Sequence, residues 1–298
     1  MIEKLDMFIA LAREQHFGRA AEACGVTQPS LSAAIKQLED QLGVMLVHRG
    51  SRFQGLTPEG QRVLDWSRQI VGDVRTMKEE MRTARQGLSG NLRLAVIPTA
   101  LTLVSDLTAD FASRHPNVRF TIWSRTSGEI LKMLENLQID AGLTYLDNEP
   151  LGRVTSVPIY AERYALVLRR DHPLAGEPQV KWAQLRDLPL ALLTPDMQNR
   201  RIINEHLTAV GVEAQPQIEA SSLIVLTSHV LAGGWATILP QKGAEVFLEN
   251  PDLTAIPLIA PEASHRIGLI APHREPHTPV LAALLDQARS LSDQLKQR

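Results

Sequence analysis

A chain of 298 residues with 44% apolar and 21% charged side chains holds enough material for two or three buried cores and is not a disordered polymer. A formal net charge of −2 denies it the overall basic footprint that would hold a protein on DNA by bulk electrostatics, so any case for nucleic acid must come from where single cations sit. One cysteine, Cys24, excludes an intramolecular disulfide and a cysteine-based zinc site, and the absence of any long apolar window excludes a membrane span, so a soluble, cytoplasmic protein is expected.

Leu5, Phe8, Ile9 and Ala12 have the spacing of an amphipathic first helix. A second, short helix opens near Gly18, carries the small residues Ala20, Ala21 and Cys24, and ends at a turn on Gly25. The third helix is predicted over about Gln28 to Leu42, with Thr27 as N-cap and Pro29 in the first turn. It should bury Leu31, Ile35, Leu38 and Leu42 and turn Gln28, Ser30, Ser32, Ala33 and Lys36 outward. Such a face suits a major groove, but an ordinary three-helix bundle with a solvated face fits the same pattern.

The ordered series Phe17-Gly-Arg-Ala20-Ala21, Val26-Thr-Gln-Pro-Ser-Leu-Ser32, Ile35, Leu38-Glu39, Leu42-Gly43, Leu46, Arg49 and Leu56-Thr57-Pro58-Glu59-Gly60 closely resembles the DNA-binding signature of LysR-type regulators. It departs at Val47 and His48, where the family commonly has a phenylalanine, a change that touches packing more than DNA contact. The resemblance implies that Gln28, Pro29, Ser30, Ser32 and Lys36 face double-stranded promoter DNA, with Arg49 and Arg52 on a wing at residues 50–55. Gln28 and Ser30 would read base edges, the cations would neutralise phosphates, and Glu39 would be structural.

From Pro58 a long helix is predicted to about Leu88. Ile70, Val74, Met77, Met81, Ala84 and Leu88 recur at alternating steps of four and three, with Trp66 upstream, as in a coiled-coil seam. A second subunit would cover that stripe, giving a homodimer on a roughly palindromic operator; packing on the chain's own sensor domain is the alternative. The resemblance adds a homotetramer and RNA polymerase as partners.

Beyond Gly90, strands alternate with helices: Leu92 to Pro98, Phe120 to Trp123, a helix at Gly128 to Leu137, Ala141 to Tyr145, Tyr164 to Leu168, Leu190 to Leu193, a helix at Asn199 to Val210, and Val230 to Pro240. The pattern predicts an open, largely parallel α/β sheet. These segments resemble the inducer-binding half of the same family, a periplasmic-binding-protein-like fold of two lobes crossed near Ala161–Tyr164 and Ser264–Ile267. The expected organisation is a winged helix-turn-helix at residues 1–58, a linker helix at 59–90 and a sensor at 91–298, with lobe I at 91–162 and 267–298 and lobe II at 163–266. In short, the expected class is α plus α/β, multidomain.

Ligands of such sheets sit beyond the carboxyl ends of the strands. That rule selects Thr99 and Ala100, Thr126 and Ser127 at a helix start, Thr144, Thr194, and Ser221 with Ser222, a hydroxyl-rich set suited to a small carboxylate or oxyanion. Serines and threonines also serve loops and caps without any ligand. Arg200 could clamp a carboxylate, though a solvated helix start accounts for it as well. No enzyme, cofactor or metal site is expected: His273 and His277 have helical metal spacing, but Pro276 between them opposes a helix. A ligand-independent architectural DNA binder is the rival reading.

Overall fold

The computed structural model describes residues 1–48 and 53–297, which form two compact units. The first comprises Met1–Gly87 with the short segments Glu135–Gln138 and Pro276–Pro279; the second takes in the remaining residues from Leu88.

In the first unit, α1 (Ile2–Glu14) buries Leu5, Phe8, Ile9 and Leu11. The next helix, α2 (Phe17–Ala23), is capped by His16, whose Nδ1 accepts the backbone N–H of Gly18 at 3.1 Å and of Arg19 at 3.3 Å. Ala20 and Ala21 are buried there, their small side chains leaving room for a neighbouring helix. The third helix, α3 (Gln28–Leu42), begins on Thr27, whose hydroxyl oxygen accepts the Ser30 N–H at 3.4 Å. It buries Leu31, Ile35 and Leu38, but Leu42 is exposed, contrary to expectation. The helix stops there on the left-handed Gly43, and the fully buried Leu46 closes the cluster instead.

Glu39 is structural, as expected: its Oε1 accepts the N–H groups of Leu46 at 2.7 Å and Val47 at 3.3 Å. An antiparallel bridge then joins Val47 to Leu56. Thr57 ties this base to the next helix, donating its hydroxyl to the Met45 carbonyl at 2.6 Å while accepting the Gly60 N–H at 2.9 Å. A Cβ on Gly60 would lie 2.0 Å from the Leu46 carbonyl oxygen, so this position admits no side chain. The long helix α4 (Pro58–Gln86) ends on Gly87, close to the expected stop. It has two apolar stripes. Leu64 and Val71 are buried in the cluster that α1 also fills, whereas Trp66, Ile70, Met77 and Met81 are exposed.

The second unit runs β1 (Gly90–Val96), α5 (Leu101–Arg114), β2 (Val118–Ser124), α6 (Ser127–Glu135), β3 (Ala141–Tyr145), β4 (Val154–Glu162), β5 (Tyr164–Arg169), β6 (Val180–Lys181), β7 (Ala191–Leu193), α7 (Gln198–Ala209), β8 (Ile218–Ala220), α8 (Leu223–Ala232), β9 (Thr237–Pro240), α9 (Gln241–Glu245), β10 (Leu253–Ile259), β11 (His265–Pro272) and α10 (Pro279–Lys296). One sheet has the order β2-β1-β3-β11-β4, a second β6-β10-β5-β9, and β7 pairs with β8.

The sheets are mixed rather than largely parallel. β1 lies parallel to β2 and β3, but β11 runs antiparallel to both β3 and β4, and β5 runs antiparallel to β9 and β10. The chain leaves the first sheet along β4 and re-enters it along β11, so these two strands must run in opposite senses. At their common end His265 pairs with Glu162, immediately before the chain enters β5.

Candidate reading face and effector pocket

On α3, Gln28, Pro29 and Ser30 are exposed in the first turn, Ser32 is half-buried and Lys36 is exposed one turn further on. Residues 28, 32 and 36 fall at four-residue steps, so one helix face carries an amide, a hydroxyl and a cation. The Ser30 hydroxyl shares a 2.8 Å hydrogen bond with that of Thr27, which gives Ser30 a local role in the cap as well as an outward position. Arg49 and Arg52 lie outside the described residues.

In the second unit a small pocket is lined by Ile97, Pro98, Thr99, Thr126, Ser127, Tyr145, Leu193, Met197, Gln198 and Asn199. Thr99 follows β1 in a short 3-10 turn, and Ser127 opens α6; both are buried, and neither Thr99 Oγ1 nor Ser127 Oγ has a hydrogen-bond partner among the described residues. Thr126 also lines the pocket, but its N–H is not free for an anion. It donates to Glu129 Oε2 at 2.9 Å while Thr126 Oγ1 accepts the Glu129 N–H at 3.2 Å, a reciprocal cap on α6.

The other five selected residues do not line this pocket. Ala100 is buried in the core beside Thr99. Thr144 is buried in β3, but strand alternation turns its neighbour Tyr145 to the pocket. At β7 the lining residue is Leu193 rather than Thr194, whose N–H bonds to the Ala220 carbonyl. Ser221 is exposed, and Ser222 sits at the start of α8 without a side-chain cap bond.

The second side of the pocket comes from the start of α7, in Met197, Gln198 and Asn199, which sequence reasoning passed over in favour of the neighbouring arginines. Arg200 is no carboxylate clamp: it is buried, donating to Glu219 Oε1 at 2.8 Å, the Leu193 carbonyl at 2.7 Å and Asn204 Oδ1 at 2.9 Å. Arg201 forks onto both carboxylate oxygens of Glu149 at 2.7 and 2.9 Å. A strand followed after four residues by a helix start was the available signal, because a short connection keeps the first residues of α7 near the strand's end.

No lining residue is ionisable except Tyr145. Behind the pocket wall, Asn199 Nδ2 donates to the Tyr145 hydroxyl at 3.0 Å, and Tyr145 donates to Glu162 Oε2 at 2.5 Å. The other oxygen of Glu162 accepts Tyr160 at 2.9 Å. Burial raises the Glu162 carboxyl to about 7, outweighing the two tyrosine hydrogen bonds that favour its ionised form. Burial also pushes the Tyr145 hydroxyl upward, with the Glu162 charge adding to it. His206, 3.1 Å from His265 between their Nε2 atoms, is held below its ordinary value first by burial and then by that second ring.

Residues 2–61 match the bacterial regulatory helix-turn-helix model of the lysR family, and residues 85–292 match the LysR substrate-binding domain. The chain is 30% identical over 270 residues to the DNA-binding transcriptional dual regulator OxyR of Escherichia coli, spanning 90% of this chain and 88% of that protein. It is 32% identical to a probable hydrogen peroxide-inducible genes activator of Mycobacterium avium, over 90% and 87% of the two chains. Among solved structures, a full-length cysteine-to-aspartate variant of OxyR from Pseudomonas aeruginosa superposes with a TM-score of 0.77 at 25% identity, covering 97% of this chain and 94% of that one. With its helix-turn-helix, its substrate-binding domain of mixed sheets and these relatives, the chain belongs to the LysR family and is a DNA-binding transcriptional regulator rather than an enzyme.

Proposed function

We propose that this regulator responds to a small effector, a short carboxylate or another small oxyanion, held non-covalently in the pocket of the second unit. The observation that carries the reading is the set of buried polar atoms around that pocket left without partners among the described residues: the Thr99 and Ser127 hydroxyls, which can donate to an anion, and Asn199 Oδ1, an acceptor. Buried polar atoms are nearly always hydrogen-bonded, and three orphans on one small cavity call for a polar occupant. The pocket is small, which restricts the occupant to a few heavy atoms.

Several relatives carry names that refer to hydrogen peroxide, and one cysteine-to-serine OxyR variant from Corynebacterium glutamicum is described as hydrogen peroxide-bound. In this chain the sole cysteine, Cys24, lies at the end of α2 in the DNA-binding unit. A sensor domain without a thiol has no cysteine to oxidise, so recognition there rests on hydrogen bonds. The expected setting is cytoplasmic, with no cofactor. The exposed stripe of α4 pairs with that of a second copy, and two such copies place two α3 helices on one promoter, from which RNA polymerase is recruited or excluded.

The test is a thermal-shift screen of the purified protein against formate, acetate, nitrate, sulfate and hydrogen peroxide, repeated on Thr99→Val and Thr126→Val. Bound ligand raises apparent stability by mass action. An anion whose stabilisation disappears in both variants supports the assignment, whereas a ligand equally effective on both variants, or stabilisation by peroxide alone, rejects it.

A further inference from the structure

The pocket's acceptor and donor character is set by a buried chain of three side chains. A carboxylate can only accept, so while Glu162 is ionised the Tyr145 hydroxyl must give it its proton, as the 2.5 Å contact shows. The Tyr145 oxygen is then left as an acceptor and takes the Asn199 Nδ2 at 3.0 Å. An amide's oxygen and nitrogen are told apart by their partners, and this pairing leaves Asn199 Oδ1, buried and unpartnered, at the pocket. In that state the pocket wall presents a lone pair, and a carboxylate lies two hydrogen bonds behind it. Both repel an anion.

A proton on Glu162 Oε2 reverses the order. The carboxyl donates to Tyr145, Tyr145 donates to the Asn199 oxygen, and the amide turns its N–H to the pocket. From the geometry, and resting on the pocket reading above, we infer that the site binds its anion together with one proton, taken from solvent and held on Glu162 while the Glu162–Tyr145–Asn199 chain reverses. The effector is in effect bound as its acid.

The surroundings leave the carboxyl without a compensating cation. From β4 it meets Tyr160, from β3 Tyr145, and from β5 Tyr164. Glu245 of α9 adds negative charge near Tyr160, and Asp147 adds it near Tyr164. The rings of His265 and His206 lie beside Tyr164, and Arg266 is drawn to Asp147 rather than to Glu162. Among the described residues no Lys or Arg donates to Glu162, and its raised proton affinity fits a group that can be filled near neutrality. Because Glu162 pairs with His265 where the chain crosses between the two sheets, the proton arrives at the joint that any motion between them must flex.

Isotope-edited infrared spectroscopy on the full-length protein, with labelled glutamate and acetate as the probe, tests this. The Glu162 carboxyl band is the one absent from Glu162→Gln. It should disappear with rising pH between about pH 6 and pH 8, and saturating acetate should move that midpoint upward by about one pH unit or more. Tyr145→Phe, which breaks the chain without adding charge, should keep the titration but lose most of the acetate-induced movement. A Glu162 ionised throughout overturns the inference. So does a midpoint indifferent to acetate when acetate still stabilises the protein through Thr99 and Thr126, an outcome that leaves the pocket reading standing. Undiminished movement in Tyr145→Phe overturns the reversing chain, and acetate that neither stabilises nor shifts anything removes the inference and its anionic effector together.

Discussion

The exposed face of α3 and the pocket of the second unit are both polar surfaces built from small side chains, but they are made in opposite ways. Gln28, Ser30, Ser32 and Lys36 come from a single helix whose fold does not depend on them, because its buried side is Leu31, Ile35 and Leu38. The pocket draws on the ends of β1, β3 and β7 and the starts of α6 and α7, and its polar residues apart from the half-buried Thr126 are buried. On the exposed face a substitution is expected to change what is bound and to leave stability nearly alone. In the pocket the same side chains carry a desolvation penalty, so binding and stability are coupled.

The largest effect expected is at Glu162. Its carboxyl holds a proton more tightly folded than unfolded, so its contribution is intact below about pH 4.5 and is lost as pH rises to about 7. Over that window the protein should become more stable in Glu162→Gln than in the wild type by about 3 kcal/mol, read from urea midpoints at a series of pH values. A parallel pH dependence in the two proteins would show that the buried carboxyl is solvated in solution.

On the exposed side, Met77→Glu with Met81→Glu should raise the dimer dissociation constant on the order of 100-fold without lowering the monomer's Tm, as measured by sedimentation. Unchanged association would assign the α4 stripe to another role.

For the reading face, Gln28→Ala should cost about 2 kcal/mol on the operator and little on random DNA. Lys36→Ala should weaken both alike and reduce the salt slope by about one. Equal losses on operator and random sequence for Gln28→Ala would move base reading elsewhere on the helix.

The smallest effect sharpens the contrast most. Thr99→Val replaces an orphaned buried hydroxyl by a methyl of similar size, so the ligand-free protein should gain up to about 1 kcal/mol while effector binding is lost. Ser30→Ala, by contrast, should slightly weaken the α3 cap, since its hydroxyl is bonded to Thr27.

The legibility of the two sites follows the same division. The bounds and outward face of α3 were readable because a helix repeats every 3.6 residues and its cap, Thr27 with Pro29, is adjacent in sequence. Leu42 misled because it is the last residue of α3: the periodic pattern still points it inward, but the packed cluster has already closed and Leu46 fills that place. Thr99, Thr126 and Ser127, chosen by the rule that ligands gather at strand ends, line the pocket; Thr144 and Thr194 satisfied the same rule without lining it, because a strand presents alternate residues to opposite sides and a one-residue offset decides.

By itself, then, the sequence determined the elements, the helix-turn-helix, the apolar seam and the family, all consequences of local spacing. Only the tertiary structure decided that Arg200 is spent on Glu219, that Asn199 faces the pocket, and that Glu162 sits buried behind it. Those outcomes depend on which strand lies beside which and on how much water each carboxylate keeps, and neither is a function of neighbouring residues.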